Sequence, residues 1–236
     1  METRDRIALA LDVETLREAE VLASRVERFV GVLKVGLELF VRHGPDAVKA
    51  FAENGWSVFL DLKLHDIPET VERAVRSAAT LGARYLTLHA SGGGRMLAAA
   101  SRAAEGTSLR LLAVSVLTSH DAADVHEIGW SRSPGEQALA FADLAFARGV
   151  RGIVASPSEA GDLRARFGAD LWIVTPGVRP AGVAAGDQRR IATPGAAIRS
   201  GADLLVVGRP IRDAADPSEA ARAIHDEVAM AMESRA

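Results

Sequence analysis

Val58-Phe59-Leu60-Asp61-Leu62-Lys63-Leu64-His65-Asp66-Ile67-Pro68 is an apolar run that passes into three alternating charges and ends on a proline. Val58 to Leu60 reads as the end of a buried strand, and the charged residues as the loop it enters. Residues two apart on an extended chain project to the same side. Asp61 and Lys63 therefore point together, and Asp66 can fold back beside them from the loop. Pro68 suits the first turn of a following helix. Three charges in six residues are ordinary by themselves, since a charged loop after a strand is commonly a solvated surface with one weak ion pair. Their meaning depends on the rest of the chain.

Outward from this stretch, the same unit repeats. Short β-rich runs alternate with longer segments whose apolar residues recur at helical spacing. The strands expected are Ile7 to Leu11, Val32 to Val35, Val58 to Leu60, Tyr85 to Leu88, Leu111 to Val116, Ile153 to Ala155, Leu171 to Val174 and Leu204 to Val207. The helices expected are Thr15 to Val26, Asp46 to Glu53, Pro68 to Thr80, Gly94 to Glu105, Gly135 to Arg148, Pro157 to Phe167, Pro194 to Ser200 and Pro217 to Met232. The strands are near-continuous apolar runs, as a parallel sheet covered on both faces requires. Eight such units in 236 residues predict an α/β chain folded as a single (β/α)8 TIM barrel spanning 1–236. An open doubly wound sheet is the alternative, but the first strand is not followed by the Gly-x-Gly-x-x-Gly that a dinucleotide fold would carry.

Composition narrows the function. The formal net charge is -3 with no basic block, so no nucleic-acid partner is expected. There are no cysteines, which removes disulfides, thiolate nucleophiles and cysteine-held metals and is compatible with a reducing cytosol. The first residues, Met1-Glu2-Thr3-Arg4-Asp5-Arg6, do not resemble a signal peptide, and no apolar run reaches the roughly 20 residues that span a bilayer. A soluble, cytoplasmic protein without membrane contact is expected. The six histidines show no His-x-His or His-x-x-x-His spacing, so no metal site is expected.

In a barrel the C-terminal strand ends converge on one mouth, where the chemistry is placed. The residues at those ends are Asp12, Lys34, Asp61 with Lys63, His89, Thr118, Gly177 with Arg179, and Gly208 with Arg209. Each has a plain reading: Asp12 could cap the first helix, and Lys34 could be a snorkelling strand-edge lysine. Two lysines and two aspartates on neighbouring strands would instead form one network. Leu204-Leu205-Val206-Val207-Gly208-Arg209-Pro210 ends a buried strand in a glycine, which permits close backbone approach, and an arginine, which can grip phosphate bidentately. The long seventh loop, Thr175 to Thr193, contains Pro176-Gly177, Arg179-Pro180, Gly182 and Gly186-Asp187-Gln188. Loops of that length are uncommon without a role, and a mobile cover over about 176–193 that brings Arg179 and Gln188 to a ligand is expected. His65 reads as a loop histidine, His89 as a neutral hydrogen-bonding group, and Ser91-Gly92-Gly93-Gly94 as a tight turn opening a helix.

With these residues in place, the chain resembles the orotidine 5'-phosphate decarboxylase family. The resemblance rests on Asp61-Leu62-Lys63-Leu64-His65-Asp66-Ile67-Pro68. It is supported by Ala10-Leu11-Asp12, Lys34-Val35-Gly36, Leu117-Thr118-Ser119, Pro176-Gly177-Val178-Arg179-Pro180, Gly186-Asp187-Gln188 and Val207-Gly208-Arg209-Pro210. The blocks fall in the family's order and cover nearly the whole chain. The resemblance implies a cofactor-independent decarboxylase that turns orotidine 5'-monophosphate into UMP and CO2. It implies Lys63 as proton donor to C6 of the pyrimidine, Asp61 beside the substrate carboxylate, Lys34 holding the aspartates and ribose hydroxyls, and Asp12 on the ribose. It also implies a homodimer in which Asp66 and Ile67 complete the neighbouring active site. Thr118 and Gln188 would contact the pyrimidine or brace the cover; Arg179, Gln188, Gly208 and Arg209 would gather at the phosphate. The whole segment Asp61 to Thr70, including Leu62, Leu64, His65, Pro68, Glu69 and Thr70, is implied to bind substrate.

Two other readings remain. A sister in the same barrel suprafamily, a keto-hexulose phosphate decarboxylase or hexulose-phosphate synthase, shares Asp-x-Lys-x-x-Asp but uses magnesium and an enediolate. Asp66-Ile67-Pro68 and Gly186-Asp187-Gln188 favour the pyrimidine enzyme. A non-catalytic barrel that binds a phosphorylated ligand has no need for a lysine between two aspartates.

Overall fold

Eight parallel strands pair in sequence order and close on themselves. They are β1 (Ile7–Ala10), β2 (Val32–Val35), β3 (Ser57–Leu64), β4 (Ala83–His89), β5 (Arg110–Val114), β6 (Gly152–Val154), β7 (Trp172–Thr175) and β8 (Leu204–Val207). The ring closes where Ile7 pairs with Leu205 and Ala8 with Val206. This is a computed structural model of the chain, and it describes residues 2–180 and 192–234. The closed ring decides between the two architectures the sequence leaves open: it is the (β/α)8 barrel, with a helix after each strand.

Strand alternation sorts the residues into two cores. Outward-facing Ile7, Leu9, Leu33, Val35, Val58, Leu60, Leu86, Leu88, Ile153 and Leu205 pack under the helices. Inward-facing Ala8, Val32, Phe59, Tyr85, Leu112, Val174 and Leu204 fill the barrel's interior. Phe59 and Tyr85 meet edge to face at 6.0 Å, which fills the axis as aromatic pairs prefer. Two residues further along β2, β3 and β4 the inward positions are Lys34, Asp61 and Thr87. The apolar layer is thus the floor on which a polar layer stands.

The helices follow their sequence signals. Leu16–Val26 opens on a reciprocal cap in which Thr15 Oγ1 accepts from the Glu18 amide and Glu18 accepts from the Thr15 amide, satisfying donors a helix start leaves bare. Pro68–Thr80 begins on its proline. Four differences from the sequence reading stand out. β3 does not stop at Leu60 but runs on through Asp61, Leu62 and Lys63 to Leu64. Short helices at Leu37–His43, Ala122–Glu127 and Arg209–Arg212 occupy stretches read as loop. Among the described residues no helix is long and apolar enough to cross a membrane.

Candidate active site

The barrel's C-terminal mouth opens into a cavity of about 350 Å³, within the usual size for a small-molecule site. Asp12, Lys34, Asp61, Lys63, Thr118, Arg179, Gly208 and Arg209 all line it. Four of them form a chain of alternating charge. Lys34 Nζ lies 3.1 Å from Asp12 Oδ1 and 3.6 Å from Asp61 Oδ2, and Lys63 Nζ lies 2.9 Å from Asp61 Oδ1 and Oδ2. Lys34 is 8% exposed. A buried lysine between two carboxylates is a fixed cation, because leaving it unpaired would be costly. The barrel is closed, so Lys34 is not an edge lysine, and the first helix is capped by Thr15 rather than Asp12.

Electrostatics favour the ionised form of Asp61. Burial pushes the Asp61 carboxyl up, but Lys34 and Lys63 with their charges, and hydrogen bonds from Lys63 and Thr87, outweigh it and hold the carboxyl below the ordinary carboxylate range. His89, at the end of β4, lies below the ordinary histidine value. Burial is the main cause; the electrostatic influence of His65 and Lys63 acts in the same direction, and Asp61 opposes it. Its ring stands 5.5 Å from that of His65.

The bulge in β3 aims the charged pair. Leu60 pairs with Leu86 and Leu64 with Leu88, so residues 61–63 stand against Thr87 alone. Asp61 and Lys63 turn inward while Leu62 and Leu64 pack against the helix-side core. Leu62 and Leu64 therefore sit behind the cavity rather than in its lining. Gly36 belongs to the same construction: a Cβ there would lie 2.9 Å from Lys34 Nζ and 3.0 Å from Asp12 Oδ1.

Asp66 does not fold back beside Asp61 and Lys63 within the chain. β3 carries the backbone onward past Lys63, and Asp66 is exposed, its Oδ1 accepting from the Ile67 amide at 2.6 Å. The negative partner at the other end of the array is Asp12. His65, Asp66, Ile67 and Pro68 border a separate shallow depression with Gly92, Arg95 and Arg148, and Ile67 is 65% exposed. Glu69 and Thr70 are exposed on the next helical turn, where Glu69 pairs with Arg73.

Arginines gather on the opposite wall. Arg179 is 6% exposed, and its amide donates to the Ala192 carbonyl at 3.0 Å, pinning the two ends of the seventh loop. Gln188, with Gly186 and Asp187, lies outside the described residues, as does most of the expected cover over 176–193. Arg212 is a lining residue the sequence reading missed. Its Nη1 donates to the Asp12 carbonyl at 2.9 Å, and Asp213 beside it raises its pKa. Its spacing of three from Arg209 carries meaning only once the two residues are seen to share one helical turn. Thr87 was also missed, since a threonine inside an apolar run reads as ordinary strand.

A closed (β/α)8 barrel with preorganised ammonium–carboxylate pairs and arginines at one mouth defines an enzyme built for an anionic ligand. Comparison with known proteins specifies it further. The model of the Orotidine 5'-phosphate decarboxylase / HUMPS family matches residues 5–224, and the chain belongs to that family. The orotidine 5'-phosphate decarboxylase of Anaeromyxobacter sp. (strain K) is 55% identical over 224 residues, covering 95% of this chain and 98% of that protein. That of Halorhodospira halophila is 54% identical over 229 residues, covering 96% and 97%. The crystal structure of orotidine 5'-phosphate decarboxylase from Lactobacillus acidophilus superposes with a TM-score of 0.83 at 36% identity, covering 95% of this chain and 99% of that one.

Proposed function

We propose that the chain decarboxylates orotidine 5'-monophosphate to UMP and CO2 without a cofactor, with Lys63 as proton donor. The observation that carries this is the Asp12–Lys34–Asp61–Lys63 array at the mouth. When the bond from C6 to the carboxylate breaks, the electron pair stays on C6, and no ring carbonyl is placed to delocalise it. Stabilisation must come from a fixed charge, and the Lys63 ammonium is one. It then gives a proton to C6 and regains one from solvent. A carboxylate at Asp61 about 4 Å from that of the substrate would cost about 4 kcal/mol at an effective dielectric of 20, a repulsion that vanishes as CO2 departs. Binding of the phosphate, remote from the reacting carbon, offsets this cost.

Asp12 and Lys34 are the groups we assign to the ribose. Arg179, Gly208 and Arg209 are assigned to the phosphate, Thr118 to the pyrimidine, and Gln188 to the cover across 176–193. A homodimer fits the exposed Asp66 and Ile67, which we assign to the neighbouring subunit's site together with the segment from His65 to Thr70. The cysteine-free composition agrees with a cytoplasmic location.

The test is the ultraviolet band of orotidine 5'-monophosphate, followed with purified protein and excess EDTA. Loss of the band with UMP as product is the expected result. An unchanged band with folded protein, or activity only with magnesium, would move the assignment to the hexulose-phosphate branch.

A further inference from the structure

Thr87 is 1% exposed on β4; it does not itself line the cavity, but it touches two residues that do, Asp61 and Lys63. Its hydroxyl accepts from the Lys63 amide at 2.9 Å and donates to Asp61 Oδ1 at 2.9 Å. A hydroxyl has a single proton. Because the Lys63 N–H occupies a lone pair, that proton is directed to Asp61, whose carboxyl Lys34 and Lys63 hold below the ordinary carboxylate range. The bulge explains why this side chain is needed. Between Leu60 and Leu64 the chain of β3 has three residues where β4 has Thr87 alone, so the regular ladder cannot serve Lys63, and the side-chain hydroxyl replaces the missing backbone carbonyl.

Lys63 itself has φ +50, and among the described residues it is the non-glycine with positive φ. A left-handed residue with a Cβ persists only where its surroundings over-determine it. Here the surroundings are Thr87 at the amide and Asp61 at the ammonium, and Thr87 joins the two. We infer that Thr87 is a positioning residue: its hydroxyl ties the backbone of Lys63 to the carboxylate of Asp61 and so sets where the Lys63 ammonium stands. The inference rests on the decarboxylase reading, in which Lys63 Nζ must meet C6.

Thr87→Val keeps the shape and removes both hydrogen bonds, whereas Thr87→Ser keeps both. Kinetics on orotidine 5'-monophosphate should show kcat reduced about 100-fold in Thr87→Val, as for a misplaced catalytic group, with KM changed less than about 3-fold. Thr87→Ser should stay within about 3-fold of the parent in both. A hydroxyl that served stability alone would lower the melting temperature of Thr87→Val and leave kcat in place. Near-parental kcat in Thr87→Val, or an equal loss in Thr87→Ser, overturns the inference. Should Thr87→Val be insoluble, Thr87→Ala against Thr87→Ser gives the same comparison. A crystal structure of the variant decides independently of turnover. Lys63 should leave its left-handed conformation or lose its 2.9 Å contacts to Asp61, and an unchanged geometry overturns the inference. A parent protein that leaves orotidine 5'-monophosphate intact would instead refute the decarboxylase reading, with the structural arm still judging Thr87.

Discussion

Both carboxylate oxygens of Asp61 lie 2.9 Å from the Lys63 ammonium nitrogen, although the two residues are neighbours but one on a strand whose regular geometry is broken between them. The contact leaves Asp61 ionised and Lys63 fixed. Lys63→Ala should lower kcat on orotidine 5'-monophosphate by at least about 1000-fold, the loss expected for a preorganised charge at the reacting atom. Folding should survive, because Lys34 still faces Asp61 at 3.6 Å, and UMP should still bind by calorimetry. Turnover near the parental rate would rule out Lys63 as the proton donor.

Gly36 tests the array without touching a charge. Its φ of -89 suits any residue, so Gly36→Ala introduces no backbone strain. The added Cβ would press on Lys34 Nζ and Asp12 Oδ1. The lysine tip can yield, so the melting temperature should fall by only a few degrees, roughly the effect of 1 kcal/mol. The displaced ammonium should lower kcat/KM by roughly 10- to 100-fold. A parental kcat/KM in a variant of unchanged stability would show that the position of Lys34 is not critical.

Arg209 separates phosphate recognition from chemistry. Arg209→Ala should weaken UMP binding by roughly 10- to 100-fold, the range of a charge-assisted hydrogen bond. Binding of uridine, which lacks the phosphate, should change by less than about 3-fold. Titration of both ligands into parent and variant provides the check, and equal losses would contradict a phosphate role.

The barrel was legible because buried parallel strands must be apolar on both faces, and all eight runs stand out for that reason. The site was legible where charge interrupts apolarity: Asp12, Lys34, Asp61 and Lys63 sit at strand ends, and the barrel brings them together. What escaped had no such contrast. Threonine, like valine, is enriched in strands, and the role of Thr87 depends on a bulge in the neighbouring strand that no pattern encodes. The far half of β3 was read as loop because Asp61 and Lys63 suggest solvent, yet they face an interior that is polar at that level. The helix Arg209–Arg212 has four residues, too few for periodicity, so Arg212 went unseen. Asp66 was expected beside Lys63 because a loop beginning after Leu60 could fold it back, whereas the strand runs on to Leu64.

His89 should make stability depend on pH. Its pKa lies below the ordinary histidine value of about 6.5 in the folded protein. Above about 6.5 both the folded and unfolded forms are neutral at this position, and stability is full. As pH falls below that value the unfolded chain binds a proton that half-buried His89 resists, so stability declines. Urea unfolding between pH 5 and 7 should show a steeper decline for the parent than for His89→Asn. The difference should be at most about 1.4 kcal/mol per pH unit, the effect of one proton. Identical slopes would show that His89 titrates alike in both states.

Asp203 holds the opposite end of the barrel, just before β8. Its Oδ2 lies 2.5 Å from Arg164 Nη2 and accepts from the Ile173 amide at 2.8 Å, while Oδ1 lies 3.6 Å from Arg6 Nη1. Arg164 Nη2 also donates to the Gly201 carbonyl at 2.8 Å. One carboxylate thus joins the N-terminal segment, the start of β7 and the helix Pro157–Phe167. Asp203→Ala leaves two guanidinium groups and a backbone amide short of their acceptor, and the groups are only partly exposed. The cost should be roughly 2–3 kcal/mol, below that of a fully buried pair because water reaches this cluster. For a chain of this size that is a fall in melting temperature of roughly 4–12 °C. Since the catalytic array stands at the other mouth, kcat and KM measured well below the transition should match the parent. Loss of turnover without loss of stability would mean that the two ends of the barrel are coupled, and that the polar layer does not stand on its apolar floor alone.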